Sequence, residues 1–303
     1  VYAQLEQDFG MLAPPIAMHS AAPRTMAGAW MMLRESLVAA GTLDRAAKEA
    51  VAAEISAANS CPYCVDVHST TFSALARGRE NPEIKAWAGA TGTRETAGRQ
   101  DLPVTVEQTA ELVGVVVTFH YLNRMVNVLL PDSPLPPGAP RGALPVLGRF
   151  MRSAARTAVQ PGRSAGLLPA TPLPADMGWA TGNPAVARAF AGAAGTMTGA
   201  GYVPDAVRAL LTNELDRWDG RPAGLSRDWA DDAVAVLPTA ERPAGRLALL
   251  TAIASYQVDD DCVSEFRRGQ PDDRALVELC AWASLASARR VGDWIRISPN
   301  PGS

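Results

Sequence analysis

The stretch Arg45-Ala-Ala-Lys-Glu-Ala-Val-Ala-Ala-Glu-Ile-Ser-Ala-Ala-Asn-Ser60, followed directly by Cys61-Pro-Tyr-Cys64-Val-Asp-Val-His68, decides how this chain folds. Its first part is alanine-rich and free of glycine and proline, so it predicts a helix over about Leu43 to Ala58. Ser60 is a good N-cap residue and proline is tolerated in a first turn, so a second helix is expected from about Cys61. A cysteine pair between two helices, with no strand before it, argues for an all-α protein.

Working outward, three- and four-residue apolar spacing recurs from end to end and strand signals are nearly absent. Met26, Trp30, Leu33 and Leu37 mark one amphipathic face, with Gly41 placed for a left-handed C-terminal cap. Asn81-Pro82 reads as an N-cap and first-turn proline for a short helix bearing Ile84 and Trp87. A long apolar helix follows from about Val106 to Leu130 and stops at Pro131.

From Pro131 to Pro174 the composition changes, because 10 of the chain's 24 prolines fall there. This predicts a linker, with a short basic helix over Val146 to Val159 carrying Arg149, Arg152 and Arg156. The helical pattern then resumes, with Val207, Leu210, Leu211, Leu215 and Trp218 forming a stripe that ends near Gly220. Arg45 to Ser60 can be laid on Arg242 to Gln257 without a gap, and Glu111-Leu112 has a counterpart in Glu278-Leu279. We read a tandem helical repeat: a first domain over 1–130, a linker over 131–182 and a degenerate second copy over 183–303.

The 303 residues carry 28 Lys and Arg against 31 Asp and Glu. No basic field exists to attract nucleic acid or anionic lipid. Uninterrupted apolar runs such as Leu112 to Phe119 are far shorter than a membrane span, which needs roughly 18 to 20 residues, and the first residues are polar rather than basic then apolar. A soluble, cytoplasmic protein is expected. Four cysteines in so long a chain do not make a disulfide framework, and two of them stand three residues apart, which points to redox or metal chemistry.

On a helix, Cys61, Cys64 and His68 share one face, so a dithiol and an imidazole are within reach of one another. The helix N-terminus and the imidazole are expected to lower a thiol pKa from its usual value near ~8.5. A thiolate that attacks a peroxide becomes a sulfenic acid, and a thiol three residues away can condense with it. Three other readings stand beside this one. Cys-Pro-Tyr-Cys also occurs in glutaredoxins, where a strand precedes it. A zinc site could use Cys61, Cys64 and His68, completed by Cys262, Cys280, His19 or His120. The cysteines could also be buried and inert.

Glu49, Cys61, Cys64 and His68, in that spacing, resemble the core motif of the alkylhydroperoxidase AhpD family within the carboxymuconolactone decarboxylase-like superfamily. Phe119-His-Tyr-Leu-Asn123-Arg124 resembles a Phe-x-x-x-Asn-Arg pattern common in these proteins. The likeness covers about residues 15 to 130 well and 183 to 295 as the degenerate copy. It implies a helical bundle in which Cys64 attacks the peroxide, Cys61 resolves the sulfenic acid, and His68 with Glu49 relays protons. It implies no bound cofactor and no metal, only a redox-active Cys61–Cys64 disulfide, with a hydroperoxide substrate and an external dithiol reductant or redox partner protein. Homo-oligomers are expected by the same likeness. Where founding members place a histidine before the second cysteine, this chain has Tyr63.

Tyr63, His120 and Asn123 are further candidates for the pocket, with His120, in an apolar helix, read first as a core histidine. In the second copy, the positions of Glu49, Cys61, Cys64 and His68 fall at Arg246, Val258, Asp261 and Glu265. Asp259, Asp260 and Asp261 read as a solvated N-cap, and Cys262 and Cys280 as packed thiols. Two functions are therefore carried forward: a thiol-dependent peroxidase, and a non-peroxidase ligand-binding or biosynthetic protein whose dithiol is a disulfide carrier or a vestige.

Overall fold

A computed structural model describes residues 1–76, 81–136, 138–155 and 159–297. The protein is all-α, and among the described residues extended pairing is limited to one isolated bridge between Ala39 and Val159. The N-terminal segment holds α1 (Tyr2–Phe9) and the short α2 (Pro14–Ala17), followed by α3 (Pro23–Leu33). At its end α3 passes into a π-helical turn, Arg34–Val38, and Ala39 is extended. The face of Met26, Trp30, Leu33 and Leu37 is buried as its spacing predicts.

Gly41 is not a left-handed cap. The helix has ended at Val38, and Gly41 instead lies against the Glu111 carboxylate, where an added Cβ would overlap it. That carboxylate is 2.6 Å from Lys48 Nζ and accepts from the Thr42 N–H at 2.8 Å. Glycine is required there by close approach of a buried ion pair and not by a turn.

The deciding stretch forms α4 (Arg45–Ala58) and α5 (Pro62–Ala76), packed side by side. Ser60 is not the N-cap of α5. It takes a left-handed backbone with φ 51°, and Cys61 instead stands at the cap position before Pro62, with the Val65 N–H donating to the Cys61 carbonyl at 3.0 Å. Cys61 is thereby set at the helix mouth, its own N–H bonded back to the Ser56 carbonyl.

Next come α6 (Pro82–Ala90), α7 (Arg94–Ala97) and α8 (Val106–Leu129). Leu130, before Pro131, is extended, as the clash of a proline ring with a helical predecessor requires. By length and composition α8 could cross a membrane, but 83% of its apolar window is buried within this fold. Its apolar faces are covered by α4, by the N-terminal helices and by the last helix of the chain.

The proline-rich stretch contains α9 (Leu144–Ala155), which packs on α5. This basic helix ends before Val159, which pairs with Ala39, and Arg156 lies outside the described residues. Arg34 and Glu35 in the π turn hold the segment that follows: Arg34 donates to the Gln160 carbonyl, and Glu35 accepts from the Gly162 N–H and the Ser164 hydroxyl. After it come α10 (Pro184–Thr198), α11 (Asp205–Arg217), α12 (Asp228–Val234), α13 (Arg242–Ile253), α14 (Asp260–Gly269) and α15 (Asp273–Trp294). Asp259 caps α14, accepting from the Cys262 N–H at 3.0 Å. The helices α13 and α14 pack on each other, and α15 packs on α8. One continuous apolar core joins the two halves.

Candidate active site

The helix mouth at Cys61 and the first turn of α5 put the two sulfurs 2.7 Å apart, with both residues buried. A small movement suffices to join them, since a disulfide bond is about 2.05 Å long. One turn after Cys64 on the same face, His68 is also buried, and Cys64, His68 and Tyr63 line one cavity.

Glu49 reaches across from α4. One carboxylate oxygen lies 2.7 Å from His68 Nδ1, and the other accepts from Arg45, one turn earlier on α4, at 2.7 to 2.8 Å. Burial works to raise the Glu49 carboxyl pKa, but the charges and hydrogen bonds of Arg45 and His68 outweigh it and hold it below the usual carboxylate value. An ionised carboxylate only accepts, so Nδ1 carries a ring proton and donates it to Glu49. Phe119 of α8 meets the His68 ring edge-on with centroids 4.5 Å apart, which fixes its plane.

Burial dominates the second sulfur. It raises the Cys64 thiol well above its usual pKa, the adjacent Cys61 sulfur raises it further, and only a hydrogen bond from Asn123 pulls the other way. The expectation of a lowered thiol pKa, drawn from the helix N-terminus and the nearby imidazole, is overturned for Cys64 in this closed dithiol. Tyr63 is likewise pushed up to about 12, by burial and then by the two sulfurs, and keeps its phenolic proton at neutral pH.

The cavity is strongly apolar. Phe9 and Met11 come from the N-terminal segment, Leu33 and Leu37 from α3 and the π turn, Leu122 from α8 and Met151 from α9. Sequence reasoning missed the N-terminal wall and Met151, since local spacing does not reveal which remote segment covers a helix. It also missed Arg45, although its place four residues before Glu49 is a readable signal.

The three other pocket candidates separate. Tyr63 lines the cavity beside Cys64. Asn123 lies behind it, its amide donating to Ser56 Oγ at 3.0 Å and its oxygen accepting from Asn59 at 3.1 Å. His120 faces a different cavity, lined also by Asn59 and Arg124. Among the described residues no three His, Cys, Asp or Glu side chains are grouped to hold a metal ion. Of the residues weighed as zinc partners, His19 is engaged with the Tyr121 hydroxyl at 2.7 Å, and Cys280 lies near Thr251 in the second half.

Residues 24–100, which contain the site, match the carboxymuconolactone decarboxylase family. Alkyl hydroperoxide reductase Rv2159c of Mycobacterium tuberculosis is 37% identical to this chain, over 97% of it and 90% of the relative. Likeness over nearly the whole length, with a family match placed on the dithiol segment, makes this chain a member of the AhpD-like family within the carboxymuconolactone decarboxylase superfamily.

Proposed function

We propose that the protein is a thiol-dependent peroxidase that reduces organic hydroperoxides through a Cys61–Cys64 dithiol/disulfide cycle. The observation that carries this reading is a paired thiol in the wall of an apolar cavity, beside an imidazole oriented by a buried carboxylate. The relative's name, an alkyl hydroperoxide reductase, supports the same class of chemistry.

In this mechanism His68 Nε2 takes the Cys64 proton, a step made necessary by the burial of that thiol. The Cys64 thiolate attacks the terminal peroxide oxygen, the O–O bond breaks, and the departing alkoxide takes the proton back from His68 to leave as an alcohol. Cys64 is now a sulfenic acid. The Cys61 sulfur attacks it, the S–S bond forms and water leaves. An external dithiol then reduces the disulfide and is itself oxidised to a disulfide. Tyr63 stays protonated throughout and shapes the cavity wall. The second half, read as a degenerate copy, supplies packing and no second redox centre.

The test is peroxide consumption by the full chain with dithiothreitol or dihydrolipoamide as reductant, comparing cumene hydroperoxide with hydrogen peroxide. Turnover should require the dithiol and should favour the organic peroxide. Absence of turnover with both peroxides and both reductants would leave a dithiol protein without peroxidase activity.

A further inference from the structure

The family match and the proposed chemistry leave unexplained a second cavity, on the other side of α8 from the thiols. It is lined by Asn59, Ser60, His120 and Arg124 from the first half and by Trp218, Ile253, Ser255 and Tyr256 from the second.

Arg124 is buried, yet its hydrogen bonds all go to neutral acceptors. Nε donates to the Ala252 carbonyl at 2.8 Å, and Nη1 to Asn59 Oδ1 at 3.1 Å, His120 Nδ1 at 3.2 Å and the His120 carbonyl at 2.7 Å. Among the described residues no carboxylate pairs with it and Nη2 makes no hydrogen bond. The ring centre of Trp218 lies 5.7 Å from the guanidinium carbon. Burial lowers its pKa to about 9, which still leaves it charged at neutral pH. A buried charge without a counter-charge is costly.

His120 adds a second unmet demand. Its Nδ1 faces two donors, the Asn59 amide at 3.2 Å and Arg124 Nη1, so the ring is neutral with its proton on Nε2. Burial, then the Arg124 charge, keeps it neutral. Nε2 is itself buried and, among the described residues, has no hydrogen-bond partner, in a residue only 2% exposed. An orphaned N–H of this kind is rare in a folded protein and marks a place for a missing acceptor.

We infer that this cavity binds a small organic anion, its carboxylate received by Arg124 and the His120 Nε2–H and its apolar body lying against Trp218 and Ile253. One positive charge and one neutral donor match a monocarboxylate. Inorganic phosphate would bring up to two negative charges and leave the apolar wall uncovered.

The experiment is a titration of the full chain with benzoate, acetate and inorganic phosphate, read by calorimetry and by histidine-ring NMR. With 3 histidines in the chain the ring signals are few, and the spectra of His120→Phe and His68→Ala assign the two that matter. Benzoate should bind at least about 10-fold more tightly than acetate or phosphate, shift the His120 ring and leave His68 in place, because its carboxylate takes the charge-assisted contacts and its ring also covers the apolar wall that the two smaller anions leave bare. Arg124→Gln and His120→Phe, where folded by circular dichroism, should each weaken benzoate about 10-fold or more, whereas Cys64→Ser should bind it like the parent. The inference is overturned if nothing binds up to about 10 mM, a millimolar limit for weak small ligands. Tighter binding of phosphate than benzoate, a response at His68 instead of His120, or affinity unchanged in either folded variant would overturn it as well. None of these outcomes depends on peroxidase activity, so the two proposals fail separately.

Discussion

Arg246 on α13 bonds Glu265 on α14 at 2.6 Å, across the same 19-residue separation that joins Glu49 to His68 between α4 and α5. The helix-bridging contact is present in both halves, but in the second it is a plain ion pair, with no imidazole to move a proton. The thiols there are poorly placed as well. Burial, followed by Asp259, pushes Cys262 up to about 11, and burial pushes Cys280 up to about 12.

One redox centre per chain is therefore expected. Thiol titration of denatured protein should find four thiols after reduction and two after stoichiometric peroxide, with peptide mass mapping placing the bridge between Cys61 and Cys64. Loss of all four, or a bridge to Cys262 or Cys280, would remove the assignment.

Cys64→Ser should abolish peroxide turnover, since the attacking sulfur is gone. Cys61→Ser should allow one attack and leave a sulfenic acid that a carbon nucleophile traps, visible as an adduct mass on Cys64. If both variants turned over like the parent, the cycle would be wrong.

His68→Ala and Glu49→Gln should each slow turnover on the order of 10²-fold, the usual worth of a positioned base. Burial raises the Cys64 pKa, so its thiolate fraction grows with pH throughout the neutral and mildly alkaline range. Both variants should consequently recover part of the loss as pH rises. A loss of equal size at every pH would point to a structural role instead.

Glu49 also ties stability to pH. Its folded pKa is depressed, so its contribution is complete above the unfolded value of about 4.3 and is lost as pH falls through the lower folded value. Thermal unfolding should show the parent losing its advantage over Glu49→Gln as pH drops below that range. A constant difference between the two down to about pH 2, below ordinary carboxyl values, would contradict the linkage.

Gly41→Ala should destabilise the fold by on the order of 3 kcal/mol, a typical cost of disturbing a buried ion pair. The added methyl displaces the Glu111 carboxylate from Lys48 and Thr42. Denaturant unfolding of the parent and the variant measures it, and equal midpoints would show that Glu111 can relax at no cost.

Much of this was legible in the sequence. Alanine-rich spacing predicts α4, and Pro131 marks the end of α8 within a residue. The positions of Cys61, Cys64 and His68 share a helical face by simple angle, whereas Glu49 needed the family likeness, because nothing local says which residue on a neighbouring helix faces inward. The π turn at Arg34–Val38 left no such mark, since α and π turns draw on the same residues. The rise in the Cys64 pKa was misjudged for a related reason: helix polarity is local, while depth of burial is set by Phe9, Met11, Leu37 and other residues far away in the chain. The role of His120 was equally hidden, because half of its cavity is built by residues after 217.

Asn59, at the end of α4, stands between the two sites. Its amide nitrogen meets His120 and Asn123, its amide oxygen accepts from Arg124, and Cys61 follows it by two residues. A shared residue of this kind makes the two cavities thermodynamically answerable to each other: whatever factor separates the affinities of the dithiol and disulfide forms for a bound anion must equally separate the anion's effects on those two forms. For a two-electron couple, each tenfold difference between those affinities would shift the potential at which the sulfurs join by about 30 mV.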